Sequence, residues 1–309
     1  MNATKTDLFS GTIDFDTIAD RIEQIDIDGS PAEQRAGYSK LLLGDDLEPD
    51  TTAGGIAQAG DLDLNGVPAR LFEPTGTAST TQTIVWFHGG GLVFGSPETH
   101  ARLAQRLADA TGFPVFVPRY RRAPEHLWPK QFDDAQAVIA ALRERGFEKI
   151  ALGGDSAGGH LSLVMAMAEN RFERPVQAVV AFSPDTDRSG KSDTREANTP
   201  KDAMNAHEDD LKNAEIAFGA DFPKDNPQMS PLLDDLSLLP PTHLEVGSVE
   251  VLLGESQLVH EWGTEQGADV SLHVEPDAFH MWQLWTPWLP QANQSIDRAA
   301  QFLKKQLGA

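Results

Sequence analysis

Apolar runs of strand length, separated by longer segments in which apolar residues recur every three or four positions, set the pattern of this 309-residue chain. Thr83-Ile84-Val85-Trp86-Phe87 has no charged or strongly polar position, and Lys149-Ile150-Ala151-Leu152-Gly153 has none after its first residue. A strand with one wet face alternates apolar with polar residues, so uninterrupted runs predict strands covered on both faces. Further strands are predicted at 61–64, 67–72, 114–118, 176–182, 242–246 and 269–275. Asn65-Gly66 is a two-residue hairpin signal between the first two, and Pro68, which lacks a backbone N–H, predicts an edge position for 67–72. Helical segments fall between most of the remaining strands. The expected fold class is α/β, with a mostly parallel central sheet and helices on both faces.

Two regions depart from this alternation. Near the N-terminus Ile13, Phe15, Ile18 and Ile22 have helical spacing, and Ser30-Pro31-Ala32-Glu33 reads as a capping box with proline at the first helical position. Residues 185–225 are polar, opening with Asp185-Thr186-Asp187-Arg188-Ser189-Gly190 and carrying a helix around Glu208 to Phe218. The insertion reads as a mobile lid or as an ordinary surface excursion.

Gly154-Asp155-Ser156-Ala157-Gly158 follows the 149–153 strand, and Leu161, Val164, Met165 and Ala168 continue it at helical spacing. A Gly-x-Ser-x-Gly turn between strand and helix strains the serine backbone and pushes its hydroxyl outward, with glycines needed where neighbouring backbone passes close. Ser156 is therefore the candidate nucleophile. The strand at 83–87 runs directly into His88-Gly89-Gly90-Gly91, whose amides lack side-chain cover. Such a loop suits an oxyanion hole, which needs donors aimed at the tetrahedral oxygen before reaction begins. Gly90 and Gly91, with Ala157 after the nucleophile, are the expected donors. A phosphate cradle is the alternative reading of the glycines, but the Lys-Ser/Thr ending of such a loop is missing.

Four ordered segments, His88-Gly89-Gly90-Gly91, Tyr120-Arg121-Arg122-Ala123-Pro124-Glu125-His126, Gly154-Asp155-Ser156-Ala157-Gly158-Gly159 and Phe279-His280, resemble the bacterial hormone-sensitive-lipase-like esterases, a branch of the α/β-hydrolases. The resemblance runs from roughly Leu62 to the C-terminus. It implies an α/β-hydrolase fold in which 51–184 and 226–309 form the catalytic core, while an N-terminal helical segment (1–50) and an insertion (185–225) form a cap. It also implies hydrolysis of short- to medium-chain acyl esters. The chain departs from the family at Arg119, where Asp is usual, and at Arg122, where Leu is usual.

The α/β-hydrolase order of serine, acid, histidine places the base in the C-terminal part. Of the histidines after Ser156, His160 lies on the helix beyond the elbow, His243 and His273 fall in strands, His207 in a polar segment and His260 in a helix. His280 follows the last strand through a short loop and matches the family's position. The acid must accept a hydrogen bond from the imidazole and stabilise the imidazolium. Glu250, in the turn after the 242–246 strand, stands where the family carries Asp; Asp277, three residues before His280, is the runner-up. A histidine base predicts loss of activity toward acid, with an apparent pKa near ~6.5 unless the site shifts it. Trp282, Trp285 and Trp288 lie close to one helical face and could wall a pocket, but at least two of them read as packing, and Asp155 and His160 read as structural.

Composition trims the alternatives. There is no cysteine, which excludes disulfides, thiolate metal sites and a cysteine nucleophile. The 47 acidic against 25 basic residues give a net charge of -22, which repels nucleic acid and anionic membranes and would be screened by salt. Residues 1–7 lead into no signal-length apolar stretch and no segment reaches membrane-spanning length, so the default is a cytoplasmic protein without integral membrane association. The expected activity is a serine carboxylesterase acting on a small-molecule ester, with no metal or organic cofactor; a homodimer is left open. The rivals are an amidase or transacylase on the same triad, and a non-catalytic ligand-binding homologue.

Overall fold

The computed structural model describes residues 8–27, 29–44 and 52–308. The reading of residues 1–7 as lacking a signal sequence, and the boundary placed near residue 50, lie outside them.

Eight strands form one sheet: β1 (Leu62–Leu64), β2 (Val67–Phe72), β3 (Gln82–Phe87), β4 (Val115–Pro118), β5 (Lys149–Asp155), β6 (Ala178–Phe182), β7 (Thr242–Gly247) and β8 (Val270–Glu275). Their spatial order is β1-β2-β4-β3-β5-β6-β7-β8. From β4 to β8 every pairing is parallel, and β1 and β2 join antiparallel at one side. All eight predicted strands are present, and the chain has the α/β-hydrolase fold.

One strand is placed differently from the sequence expectation. Pro68 predicts an edge position, yet β2 lies between β1 and β4 and the short β1 forms the edge. Opposite β4, Pro68 sits beyond the last paired residues, Ala69 and Pro118, and its carbonyl accepts the Arg119 backbone N–H at 2.8 Å. The missing N–H therefore removes only a terminal rung, which an inner strand tolerates. The Asn65-Gly66 turn has positive φ at both residues, 54° and 88°, as a type I′ hairpin requires.

Helices cover both faces. On one face α4 (Lys130–Glu144), α5 (Ala157–Arg171) and α8 (Leu253–Glu265) bury Val138, Leu161 and Val259 against Val85, Phe87, Leu152 and Val179. On the other, α3 (Ala101–Thr111) and α9 (Pro290–Leu307) bury Leu103, Leu107, Ile296 and Leu303 against Ile84, Trp86, Ala151 and Val180. Successive residues of β3, β5 and β6 feed opposite cores, which is why these strands read as continuous apolar runs.

The N-terminal helices α1 (Phe15–Glu23) and α2 (Pro31–Leu43) pack on this second core through Ile18, Tyr38 and Leu41. The Ser30–Glu33 capping box forms, with both reciprocal bonds in place. Arg35, on α2 and buried, donates to the Val93 and Ala123 carbonyls at 2.9 and 2.8 Å and pairs with both Glu125 carboxylate oxygens. That ties α2 to the segment following the glycine loop.

The insertion carries α6 (Thr194–Asn198) and α7 (His207–Phe218). Its polar composition conceals a buried charge network. Arg195 pairs with Asp185 at 2.8 Å, with Asp210, and with Glu255 of α8 at 2.6 Å, while Arg188 pairs with Asp185. The Glu255 carboxylate also accepts the Thr186 and Asp187 backbone N–H groups at 2.6 and 2.7 Å. The charges of a segment that reads as polar from sequence are buried and satisfied by one another.

Candidate active site

β5 ends at Asp155 and α5 begins at Ala157, so Ser156 alone makes the turn. Its φ is +53°, a strained region for a side-chain-bearing residue, and its backbone N–H is held by the Phe182 carbonyl at 2.9 Å. The glycines are required by contact. A Cβ on Gly158 would lie 1.9 Å from the Phe87 carbonyl oxygen, and one on Gly154 would lie 2.4 Å from the Gly158 carbonyl. The elbow and the end of β3 are thus packed backbone to backbone.

Beside the elbow, the three glycines of the loop do different jobs. The Gly89 N–H donates to Asp155 Oδ2 at 3.1 Å. The same carboxylate binds Trp86 Nε1 at 2.9 Å and His100 Nε2 at 3.0 Å, so Asp155 anchors the loop from below. Among the described residues no protein acceptor takes the N–H of Gly90, Gly91 or Ala157, leaving all three available to a ligand oxygen. The His88 ring stacks on Tyr120, with centroids 4.1 Å apart at 15°. Burial, reinforced by the Arg122 charge, holds His88 well below its ordinary pKa, so it stays neutral.

His280 is buried on the loop after β8, and its Nδ1 lies 2.9 Å from Glu250 Oε2. The other Glu250 oxygen accepts Ser183 Oγ at 2.7 Å and the Gly247 backbone N–H at 2.5 Å, which fixes the carboxylate at the end of β7. Asp277 is exposed at φ +57°, and its backbone N–H donates to Ser248 Oγ at 2.8 Å. The structure therefore brings Glu250, not Asp277, to the imidazole.

Burial alone would disfavour the imidazolium of His280. The hydrogen bond to Glu250 and the charges of Glu250, Asp202 and Asp210 outweigh it and raise His280 to about 9. This differs from the sequence expectation near ~6.5, because the charges of three carboxylates act on the ring and sequence could place only one of them. Burial pushes Glu250 above the usual carboxylate range, against the opposing pull of its His280 bond.

Ser156, His280, Gly90 and Gly91 all line one cavity of about 110 Å³. Its wall also includes Gln34 and Tyr38 of α2 and Met204, Asp210, Lys212 and Asn213 of the insertion. None of Trp282, Trp285 and Trp288 lines it; all three are buried, and Trp285 and Trp288 pack edge-on against Phe9. His160 is also buried and is held by the Asp185 carbonyl at 3.1 Å. Among the described residues no group of three or more His, Asp or Glu could hold a metal ion.

Sequence reasoning missed Asp202. This buried insertion residue accepts the His280 backbone N–H at 3.0 Å and the Met204 N–H at 3.1 Å through Oδ1, and the Val251 N–H at 3.1 Å through Oδ2. One carboxylate thus clasps the backbone at His280 and at the residue after Glu250. Pro200-Lys201-Asp202-Ala203 carries no motif that could have marked it. The two departures in the 119–126 segment also have partners. Arg119 binds Asp61 Oδ2 at 2.5 Å and Glu98 Oε2 at 2.7 Å, and Arg122 donates to the Gly95 carbonyl and, at 2.6 Å, to that of Thr52.

Residues 84–284 match the family described as alpha/beta hydrolase fold. An acetyl-hydrolase of Streptomyces hygroscopicus is 31% identical over 230 residues, spanning 74% of this chain and 77% of that protein. An esterase of Acinetobacter venetianus is 32% identical over 228 residues, spanning 73% and 75%. Among solved structures, an esterase from the bacterial hormone-sensitive lipase family superposes with a TM-score of 0.86 at 32% identity, covering 95% of this chain and 98% of that one.

Proposed function

The chain belongs to the α/β-hydrolase family, in its bacterial hormone-sensitive-lipase branch, and is a carboxylic ester hydrolase; from that premise we propose that it works through a Ser156–Glu250–His280 triad. The observation that carries this reading is the 2.9 Å bond between His280 Nδ1 and Glu250, on a ring that lines the same cavity as Ser156. With Nδ1 committed to Glu250, Nε2 is the nitrogen left to take the Ser156 proton. Ser156 Oγ then attacks the ester carbonyl, and the N–H groups of Gly90, Gly91 and Ala157 hold the oxyanion. His280 returns the proton to the leaving alcohol, and water deprotonated by the same imidazole releases the acid from the acyl-enzyme.

The expected substrates are short- to medium-chain acyl esters, as the resemblance to the family implies. Residues 1–50 and 185–225 act as the cap over a core of 51–184 and 226–309, a division supported by the contribution of α2 and the insertion to the cavity wall. Among the described residues no helix is long and apolar enough to cross a membrane.

A serine-directed organophosphate should label Ser156 stoichiometrically, read by mass spectrometry of the peptide carrying Gly154-Asp155-Ser156, and abolish hydrolysis of p-nitrophenyl butyrate in proportion. Label on another residue, or full activity in labelled protein, would overturn the assignment.

A further inference from the structure

Three residues that line the cavity each carry a buried polar atom with no hydrogen-bond partner among the described residues: Gln34 Oε1, Tyr38 Oη and Asn213 Oδ1. Gln34 is 5% exposed and Tyr38 is fully buried. They come from two separate segments, α2 and α7, and Asn213 meets the glycine loop: a Cβ on Gly91 would lie 2.8 Å from Asn213 Cβ. Buried polar groups are almost always paired, and those that face a roomy cavity are completed by water or by a ligand. Desolvation by burial pushes Tyr38 well above its ordinary pKa, so its hydroxyl is a neutral donor and acceptor. The rest of the wall includes the apolar Phe94, Met204 and Met281.

Resting on the esterase reading, we infer that Gln34, Tyr38 and Asn213 form a polar subsite that recognises a hydroxyl group on a short ester substrate. A hydroxyl both donates and accepts, and it matches two amide side chains and a phenol, each of which can do the same. An apolar fragment of the same size would leave these atoms unpaired. A site built this way discriminates more strongly against the analogue lacking the polar group than an apolar pocket does against one carrying it.

The subsite predicts a preference between isosteres. Ethyl β-hydroxybutyrate is compared with ethyl isovalerate, which places the hydroxyl or a methyl on the acyl side. Hydroxyethyl butyrate is compared with propyl butyrate, which does the same on the alcohol side. In at least one pair the hydroxylated ester should have kcat/KM at least about tenfold above its isostere, and the pair that shows it identifies the side that lies in the cavity. Gln34→Leu, Tyr38→Phe and Asn213→Leu should each pull that ratio toward one, and Tyr38→Phe removes a single oxygen from the packed core. Ratios within about twofold of one for both pairs in the unsubstituted enzyme, or a ratio unmoved by all three substitutions, would overturn the subsite while leaving the esterase intact. If none of the four esters is turned over, the esterase reading falls, and the subsite with it.

Discussion

The two halves of the candidate site are held by different means. The elbow is fixed by backbone against backbone, at Gly154, Gly158 and the Phe87 carbonyl, and one carboxylate, Asp155, ties the oxyanion loop to it through the Gly89 N–H. The acid–base arm is fixed by carboxylates. His280 and Glu250 lie 30 residues apart in sequence and are steadied by Ser183 at the end of β6 and by Asp202 from the insertion. A close approach of backbone leaves no choice of residue type, whereas a hydrogen bond to a backbone N–H can be supplied by any carboxylate the fold delivers.

The strongest way to break this comparison is to remove a reacting group from either half. Ser156→Ala and His280→Ala should each lower kcat by roughly 10⁶, and the double variant should fall little further, because the members of such a unit are far from additive. Steady-state kinetics on p-nitrophenyl butyrate, with circular dichroism to show that each variant is folded, reads this directly. Multiplying losses in the double variant would mean that the two halves act separately.

Next in size is the acid. With Glu250 gone the imidazole is free to adopt the wrong tautomer, which costs roughly 10⁴ in kcat for the corresponding change in serine proteases. Glu250→Gln should approach that loss, and Glu250→Asp should keep partial activity because the charge remains but the reach shortens. Asp277→Asn should stay within about twofold, since an exposed loop carboxylate is strongly screened. A crippled Asp277→Asn beside a mild Glu250→Gln would reverse the assignment.

The same contrast explains what could be read from the chain. Continuous apolar runs exposed the central strands, the Asn65-Gly66 turn marked the hairpin beside them, and the elbow and loop were visible because their glycines are compulsory. Glu250 could be reached through the turn it shares with the family. Pro68 misled because a missing N–H says only that one rung is absent, and not on which side of the strand other strands lie. Asp202 and the Arg195 network were illegible because their partners come from distant segments, so the charges look solvated until the fold closes over them. Gln34 and Tyr38 lie on the capped helix α2, and only the fold brings them to the cavity with a buried polar atom left unpaired.

The finest test of the acid–base arm is Asp202→Asn. Asparagine keeps the size but offers one oxygen and one NH₂ where two carboxylate oxygens accept N–H groups from His280, Met204 and Val251. At least one of these donors then faces another donor, and the His280 loop loosens. A drop of about tenfold in plateau kcat is expected, in line with about 1–2 kcal/mol for a lost charge-assisted hydrogen bond. A loosened loop alone would do that much, so the pH profile is the decisive readout. His280, raised to about 9, is imidazolium below that pH and a competent base above it, so kcat/KM should climb through a limb near 9 in the unsubstituted enzyme. The Asp202 charge favours the imidazolium, and its removal should move the limb to lower pH. Asp277→Asn, the exposed control, should leave the limb where it is. A limb that stays near 9 in Asp202→Asn while kcat falls would reduce Asp202 to a backbone clasp with no electrostatic part in setting the base.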